Sequence, residues 1–246
     1  MRNYISLIVF LSSSNKEDSK VIIALDYSNK KDTLNLVSKL DKSLCNLKVG
    51  YELFLSEGQS LIKELHKREF KIFLDLKLHD IPNTVKRAIN VICDYGIWMT
   101  NVHVLGGKEM LASAKQVVKK ESPETKLIGV TILTSLNDDL LKPLGFSNSV
   151  EETVYNFADL CHEAGLDGIV CSAGEAIHIR KKFLDNFLIV TPGIRLKNDT
   201  ADDQKRVVTP VQAKNNGVSY IVVGRPVTMS SDPLSILKKI NNEFNE

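Results

Sequence analysis

The sequence predicts an α/β protein, built as a single-domain (β/α)8 TIM barrel. Three observations lead to this prediction: short β-branched runs alternate with longer amphipathic stretches, the pair occurs eight times, and the eight units fill about 225 residues. Strands that alternate with helices form parallel sheets, because a crossover must carry the chain back before the next parallel strand begins. Eight units in this length match a closed barrel better than a doubly wound sheet.

Each predicted strand is a short run rich in Val, Ile and Leu, and each is followed by apolar residues at helical spacing. The strands are predicted at residues 21–26, 47–50, 71–76, 99–104, 127–133, 168–172, 187–191 and 220–224. The helices are predicted at residues 30–40, 60–68, 83–95, 108–119, 153–164, 175–183, 210–216 and 233–244. No linker-like composition divides the chain after its start. We therefore expect one barrel domain, residues 21–246, preceded by a poorly ordered extension, residues 1–20.

The composition argues against two classes of partner. Hydrophobic residues make up 43% of the 246 residues, and 32 basic side chains against 30 acidic ones leave a formal charge of +2. Proteins that bind nucleic acid or anionic membranes concentrate basic residues, so we expect neither partner. The apolar run at residues 5–11 is shorter than the roughly 20 residues that span a bilayer, and no cleavage site follows it. A cytoplasmic location is expected.

The sequence contains no signal for a metal or an organic cofactor. The four cysteines are scattered without a C-x-x-C pair, so we expect buried, reduced thiols. No cluster of His, Asp and Glu has the spacing of metal ligands. Neither a Walker loop nor a G-x-G-x-x-G motif follows the first predicted strand. We expect a protein that works without metal or cofactor.

Ionisable residues at the ends of the second and third predicted strands form the first candidate site. Catalytic groups of such barrels lie at the carboxyl ends of the strands. Asp75 and Lys77 are two residues apart and therefore face the same side, and Lys48 on the neighbouring strand adds a second cation. A structural ion pair is one interpretation of these residues, because charges that leave a buried strand need partners. A catalytic charge cluster is the interpretation that we favour.

Two loops with glycine and arginine form the second candidate site. Residues 191–195 (TPGIR) follow the seventh predicted strand, and residues 223–226 (VGRP) follow the eighth. Glycine lets backbone N–H groups approach an anion, and arginine adds a permanently charged fork. These two loops hold a phosphate in many barrels of this type. Together they indicate a phosphorylated substrate. His103, which ends the fourth predicted strand, is interpreted as a histidine hydrogen-bonded within the barrel.

Residues 75–84 (DLKLHDIPNT) resemble the D-x-K-x-x-D-I-P-N-T signature of orotidine 5′-phosphate decarboxylases of the bacterial type. Five further motifs occur in family order: residues 24–26 (ALD), 47–50 (LKVG), 133–135 (LTS), 192–195 (PGIR) and 224–226 (GRP). The resemblance extends over about residues 21–244. It implies a homodimeric barrel that converts orotidine 5′-monophosphate to uridine 5′-monophosphate and CO2 without metal or organic cofactor. This reaction is the last step of de novo UMP synthesis.

The resemblance also implies roles for individual residues. Lys77 would donate the proton to C6 of the pyrimidine as CO2 leaves, and Asp75 would lie beside the substrate carboxylate. Asp80 would come from the partner subunit and extend the alternating charges of Lys48, Asp75 and Lys77. The substrate-binding residues would be Asp26 and Lys48 at the ribose, Asp75 beside the substrate carboxylate, Thr134 at the pyrimidine, and Arg195, Gln204, Gly224 and Arg225 at the phosphate. Ile81 and Thr84 would also bind the substrate, and Thr84, like Asp80, would come from the partner subunit.

Two positions depart from the family pattern, and two other functions stay open. Leu78 stands where an aromatic residue is common and Leu105 where serine is usual, so we expect altered packing near the site and retained activity. The sister barrels 3-keto-gulonate-6-phosphate decarboxylase and hexulose-6-phosphate synthase share Asp-x-Lys-x-x-Asp and use Mg²⁺, but residues 81–84 (IPNT) argue against them. A non-catalytic binder of phosphate ligands is the other alternative, and Lys77 with its flanking aspartates argues against it.

Overall fold

The computed structural model describes residues 19–196 and 207–245, and it confirms the barrel. Eight parallel strands form a closed sheet in chain order, with the eighth strand hydrogen-bonded to the first. The strands are β1 (Val21–Ala24), β2 (Asn46–Val49), β3 (Ile72–Leu78), β4 (Met99–His103), β5 (Lys126–Val130), β6 (Gly168–Val170), β7 (Leu188–Thr191) and β8 (Tyr220–Val223).

Helices surround the sheet and connect its strands. They are α1 (Lys30–Val37), α2 (Tyr51–Lys67), α3 (Pro82–Asp94), α4 (Gly107–Glu121), α5 (Asp138–Leu141), α6 (Val150–Glu163), α7 (Ala173–Lys182), α8 (Pro210–Asn215), α9 (Arg225–Thr228) and α10 (Pro233–Asn245). Local sequence explains several of their starts. Proline is the first residue of α3, α8 and α10, where its missing N–H costs nothing. Capping boxes begin α6, α7 and α8.

Alternation along the strands divides the core into two layers. Val21 and Ile23 of β1 pack outward against the helices, whereas Ile22 packs inside the barrel with residues such as Phe73. Side chains two apart on a strand share a face, so this parity sets every inward position. Lys48 lies between two outward residues of β2, and Asp75 lies two residues after Phe73. Both therefore point into the barrel, where they line the cavity at the carboxyl ends of the strands.

Three local differences from the prediction have identifiable causes. Helix α2 begins nine residues before the predicted start at residue 60, and Gly58, at φ 56°, interrupts its regular backbone. Strand β5 ends at Val130, not at residue 133, so Thr134 lies in the loop that follows. The short helices α5 and α9 were not predicted, because four residues are too few to display helical periodicity.

The ends of the described chain and of the barrel are held by specific contacts. The Ser19 hydroxyl donates to the Leu44 carbonyl at 2.7 Å, and the Lys20 carbonyl accepts from the Ile221 N–H at 3.0 Å. Both residues thus pair with the barrel, although the sequence assigned them to the extension. Residues 1–18 lie outside the described residues, so a poorly ordered extension stays a prediction. At the amino-terminal end of the barrel, the Trp98 and Tyr220 rings meet edge to face at 5.3 Å.

Two further expectations concern the cysteines and membranes. All four cysteines are buried free thiols, as the sequence predicted. Burial raises the pKa of Cys45 and of Cys161 to about 12, which keeps both thiols protonated at neutral pH. None of the helices in the described ranges is both long enough and apolar enough to cross a membrane.

Candidate active site

A cavity of about 310 Å³ lies at the carboxyl ends of the strands. Its floor consists of inward-facing apolar residues: Ala24, Phe73, Val170, Val190 and Val222. Its walls carry the polar and loop residues Asp26, Lys48, Asp75, Lys77, Thr134, Pro192, Gly193, Arg195, Gly224 and Arg225. The two candidate sites of the sequence are therefore two sides of one cavity. A phosphate and a reacting group of the same small molecule can be bound there together.

Lys48, Asp75 and Lys77 form a charge cluster on one side of this cavity. Lys77 Nζ donates to Asp75 Oδ1 at 2.7 Å, and Lys48 Nζ lies 3.4 Å from Asp75 Oδ2. Lys48 Nζ also lies 3.3 Å from Asp26 Oδ1, which joins the exposed Asp26 to the cluster. The predicted convergence of these residues is confirmed by the geometry. Each carboxylate oxygen of Asp75 thus faces a different ammonium group.

The carboxylate of Asp75 stays ionised in spite of its burial. Only 8% of the residue is exposed, and burial alone would raise its pKa. The ammonium groups of Lys48 and Lys77 outweigh that effect, helped by hydrogen bonds from Lys77 and Asn101, and they hold the pKa of Asp75 below its usual value. The cavity therefore presents a fixed negative charge between two positive ones at neutral pH.

Strand β3 is irregular where it carries the cluster. Its register against β4 shifts between Leu74 and Leu78, and Lys77 adopts φ 42°, in the left-handed region that lysine seldom enters. The Lys77 N–H donates to Asn101 Oδ1 at 2.7 Å instead of to a backbone carbonyl. Strained backbone of this kind concentrates at functional sites. Lys77 therefore lines the same cavity as Asp75, as the two-residue spacing predicted, although β3 is not a regular strand at this point.

Two residues near the cluster were missed in the sequence. The buried Asn101 of β4 contacts both Asp75 and Lys77, and the Tyr51 ring at the start of α2 lies 5.7 Å from Lys77 Nζ. Asn101 stands two residues before His103 on the same strand, and an amide at an inward strand position was the available signal. Tyr51 directly follows the LKVG motif, but the first half of α2 was not predicted, so Tyr51 was not recognised as its first residue.

His103 is a partly buried, hydrogen-bonded residue at the edge of the cluster. Its Nδ1 accepts from the Leu105 N–H at 3.3 Å, and its ring stacks on His79 at 5.4 Å. Burial lowers its pKa first, and the positive charges that His79 and Lys77 can carry lower it further. A neutral imidazole with an accepting Nδ1 fits the structural role that the sequence indicated.

The loops after β7 and β8 form the opposite side of the cavity. Gly193 and Arg195 come from the first loop, and Gly224 and Arg225 from the second. Arg195 is only 9% exposed, and its guanidinium donates to the Ile194 carbonyl at 2.9 Å. The backbone N–H of Arg195 donates to the Val208 carbonyl at 3.0 Å, which closes the base of the first loop. Gln204, the remaining predicted phosphate residue, lies outside the described residues.

Asp80, Ile81 and Thr84 are not among the residues that line the cavity. They stand at the start of α3, where the exposed Asp80 carboxylate accepts from the Ile81 N–H at 2.6 Å. The Ile81 side chain is 68% exposed. The resemblance assigns Asp80 and Thr84 to the site of a partner subunit and counts Ile81 among the substrate-binding residues. Their position in a single chain leaves that role a prediction.

The cavity also differs from a metal centre in the groups that meet there. In residues 19–196 and 207–245, no three side chains of His, Cys, Asp or Glu come together in a way that could hold a metal ion. The Asp26 and Asp75 carboxylates face ammonium groups. Two fixed cations beside an anion can stabilise charge that develops on a bound molecule, and an ammonium can also deliver a proton.

Known proteins of one family are similar to this chain in sequence and in fold. The profile of the family described as "Orotidine 5′-phosphate decarboxylase / HUMPS family" matches residues 19–240. The chain belongs to this family. The orotidine 5′-phosphate decarboxylase of Nitrosomonas eutropha is 50% identical over 227 residues, which cover 92% of this chain and 97% of that protein. The enzyme of the same name from Neisseria meningitidis serogroup A is 45% identical and covers 94% of both chains.

A solved structure agrees with these relatives. The crystal structure of orotidine 5′-phosphate decarboxylase from Lactobacillus acidophilus superposes with a TM-score of 0.84 at 40% identity, covering 93% of this chain and all of that one. The resemblance in the sequence motifs is therefore confirmed. Because these relatives carry the decarboxylase name, the Mg²⁺-dependent sister barrels are not favoured.

Proposed function

We propose that this chain decarboxylates orotidine 5′-monophosphate directly, without a metal ion, and releases uridine 5′-monophosphate and CO2. This is the last step of de novo UMP synthesis. The observation that carries the proposal is the contact of Lys77 with Asp75 at 2.7 Å in a cavity whose other side holds Arg195 and Arg225. A barrel that only bound phosphate ligands would not need two ammonium groups held against a buried carboxylate across the cavity from its phosphate loops.

The charge cluster matches the electronic problem of this reaction. Loss of CO2 leaves an electron pair at C6 in the plane of the pyrimidine, where the ring offers no conjugated sink. In our proposal the Lys77 ammonium stabilises that developing charge and transfers its proton to C6 as the bond to the carboxylate breaks. Asp75 places a fixed negative charge beside the departing carboxylate. The products are CO2, a C6–H bond and a neutral Lys77 amine, which solvent reprotonates.

The remaining cavity residues hold the substrate against this cluster. Asp26 and Lys48 bind the ribose hydroxyls, Thr134 binds the pyrimidine, and the two phosphate loops bind the phosphate. The phosphate lies far from the reacting carbon, so its binding energy serves to orient the pyrimidine and not to drive chemistry directly. The proposed phosphate residues are Arg195, Gly224, Arg225 and, beyond the described residues, Gln204.

A turnover assay tests this function against its alternatives. The purified chain, dialysed against a chelator, is expected to convert orotidine 5′-monophosphate to uridine 5′-monophosphate and CO2. It is expected to be inactive with 3-keto-gulonate 6-phosphate, and with ribulose 5-phosphate plus formaldehyde. Loss of turnover on chelation would favour a metal-dependent sister barrel. Tight binding of the nucleotide without turnover would favour a binding protein.

Arg225→Ala is expected to lower kcat/KM by roughly 10- to 150-fold, the equivalent of one charge-assisted hydrogen bond. Arg225 lines the phosphate side of the cavity, and its guanidinium is suited to a bidentate contact. Steady-state kinetics with orotidine 5′-monophosphate measure the effect. Lys238→Ala, which removes a positive charge from the exposed face of α10, is the control. An unchanged kcat/KM in Arg225→Ala would show that the phosphate is bound elsewhere.

We further propose that two copies of the chain form a dimer with shared active sites. Three large apolar side chains follow the neighbouring strands β2, β3 and β4 and are strongly exposed: Tyr51 at 51%, Ile81 at 68% and Leu105 at 47%. Apolar surface of this kind is typical of an interaction site, and a twofold dimer would bury the same patch on both copies. Asp80 and Thr84 are neighbours of Ile81 in the sequence, and in the proposed dimer they would reach the partner's cavity.

A further inference from the structure

The irregular part of β3 faces a single residue of β4. Regular pairing stops at Leu74 with Thr100 and resumes at Leu78 with Val102. Three residues of β3, Asp75 to Lys77, therefore lie opposite one residue of β4, Asn101. Such a bulge disrupts the backbone ladder and leaves N–H groups without their usual carbonyl acceptors. The Lys77 N–H is one of these groups, and its residue holds φ 42°.

The Asn101 side chain supplies the hydrogen-bond acceptor that the disrupted backbone ladder does not offer to the Lys77 N–H. It is fully buried, at 0% exposure, and it bridges the two charged residues of the bulge. Its Oδ1 accepts from the Lys77 N–H at 2.7 Å, and its Nδ2 donates to Asp75 Oδ1 at 2.7 Å. The orientation of the amide is dictated by chemistry, because a backbone N–H can only donate and an ionised carboxylate can only accept. The oxygen and the nitrogen of the Asn101 amide therefore each form one of these two hydrogen bonds.

We propose that Asn101 is the positioning residue of the active site, which holds Asp75 and Lys77 at the separation that the reaction requires. Asn101 is not among the residues that line the cavity, so it acts through the other two and not on the substrate. Its Nδ2 and Lys77 Nζ meet at the same oxygen, Asp75 Oδ1. The nitrogen of the Asn101 amide thus holds the Asp75 carboxylate, and its oxygen holds the backbone of Lys77. This inference rests on the roles proposed above for Asp75 and Lys77.

Asn101→Leu removes both hydrogen bonds at similar side-chain volume. We expect kcat for orotidine 5′-monophosphate to fall about 100-fold, as a misplacement of about 1 Å does. Affinity for uridine 5′-monophosphate is expected to stay within about threefold, because the phosphate and ribose residues are untouched. Thr100→Val is the matched control: it removes the adjacent buried hydroxyl of β4, which donates to the Leu74 carbonyl at 3.0 Å. That control is expected to lower stability without lowering kcat.

Asn101→Asp separates positioning from general stability by its pH profile. The introduced carboxyl keeps an acceptor for the Lys77 N–H but opposes Asp75 when ionised. Burial and the neighbouring carboxylate raise its pKa, and its protonated form again offers a donor to Asp75. The ratio of its kcat to that of the wild-type chain is therefore expected to rise as the pH falls from about 8 to about 5. The other ionisable groups nearby, Lys48, Lys77, Tyr51, His79 and His103, are present in both proteins, so a change in the ratio reports the introduced carboxyl and its effect on them.

The outcomes are distinct. A kcat within about threefold of the control in Asn101→Leu, or a flat ratio in Asn101→Asp, overturns the proposal. If Asn101→Leu does not fold, the pH profile of Asn101→Asp decides alone. If the Asn101 variants are fully active and Lys77→Ala is inactive, only the positioning role of Asn101 is refuted. Full activity of Lys77→Ala refutes the roles on which it rests.

Discussion

Lys77→Ala is expected to lower kcat for orotidine 5′-monophosphate by about 10⁴-fold, the upper end of what one positioned acid contributes. The substitution removes the ammonium that lies 2.7 Å from Asp75 and leaves Lys48, at 3.4 Å from the other carboxylate oxygen, in place. The phosphate and ribose residues are unchanged, so uridine 5′-monophosphate is expected to bind with nearly its original affinity. Single-turnover kinetics and calorimetric titration of the product measure the two effects separately.

Two further variants show whether the effect belongs to proton transfer. Lys77→Arg keeps a positive charge that cannot be deprotonated at neutral pH, so it is expected to be nearly as inactive as Lys77→Ala. Lys115→Ala is the matched control, because Lys115 and Asp167 form another partly buried pair, at 2.6 Å, at the amino-terminal end of the barrel. It is expected to leave kcat unchanged. Turnover of Lys77→Ala within about tenfold of the wild-type chain would exclude Lys77 as the proton donor.

Mixed dimers of Lys77→Ala and Asp80→Ala are expected to regain about a quarter of the wild-type activity, although each variant alone is inactive. Random reassortment makes half of the dimers mixed, and one of the two sites in each mixed dimer contains an intact Lys77 and an intact Asp80. The structure motivates this test because Asp80 is exposed and is not among the residues that line the cavity of its own chain. Activity is measured after the two variants are refolded together.

A second mixture is the control for the first. Lys77 and Asp75 contact each other within one chain, so a mixture of Lys77→Ala with Asp75→Ala carries a defect in every site. It is expected to stay inactive. Failure of the Lys77→Ala and Asp80→Ala mixture to regain activity, or full activity of Asp80→Ala alone, would contradict the shared site.

Much of the fold was predictable because it depends on local and repeating signals. Eight β-branched runs alternating with amphipathic stretches sufficed for the barrel, and the two-residue spacing of Asp75 and Lys77 sufficed to place both at its mouth. The pattern of apolar residues gave wrong boundaries where a helix or strand does not follow its regular spacing. Gly58 breaks α2 into two pieces, so only its second half was predicted, and the apolar residues after Val130 extended the predicted β5 beyond the sheet.

The charged residues of the site could be predicted from the sequence, but Asn101, whose amide holds two of them, could not. Asp75 and Lys77 lie in the carboxyl-terminal half of β3, and Arg195 and Arg225 follow β7 and β8, which is where barrels place functional groups. Asn101 lies 24 residues after Lys77, and its importance arises from a bulge that a period of two cannot reveal. Contacts between strands and between subunits depend on register and assembly, which a single sequence does not contain.

The central claim, that Lys77 of this chain protonates C6 directly during metal-free decarboxylation, is tested by product analysis in D2O. The chelator-treated chain is incubated with orotidine 5′-monophosphate, and the product is examined by NMR at C6. We expect one deuterium at C6 for each molecule of CO2 released, at a rate that added Mg²⁺ does not change, and about 10⁴-fold slower formation of this product by Lys77→Ala. Deuterated product formed equally fast by Lys77→Ala, or turnover that requires Mg²⁺, would contradict the claim.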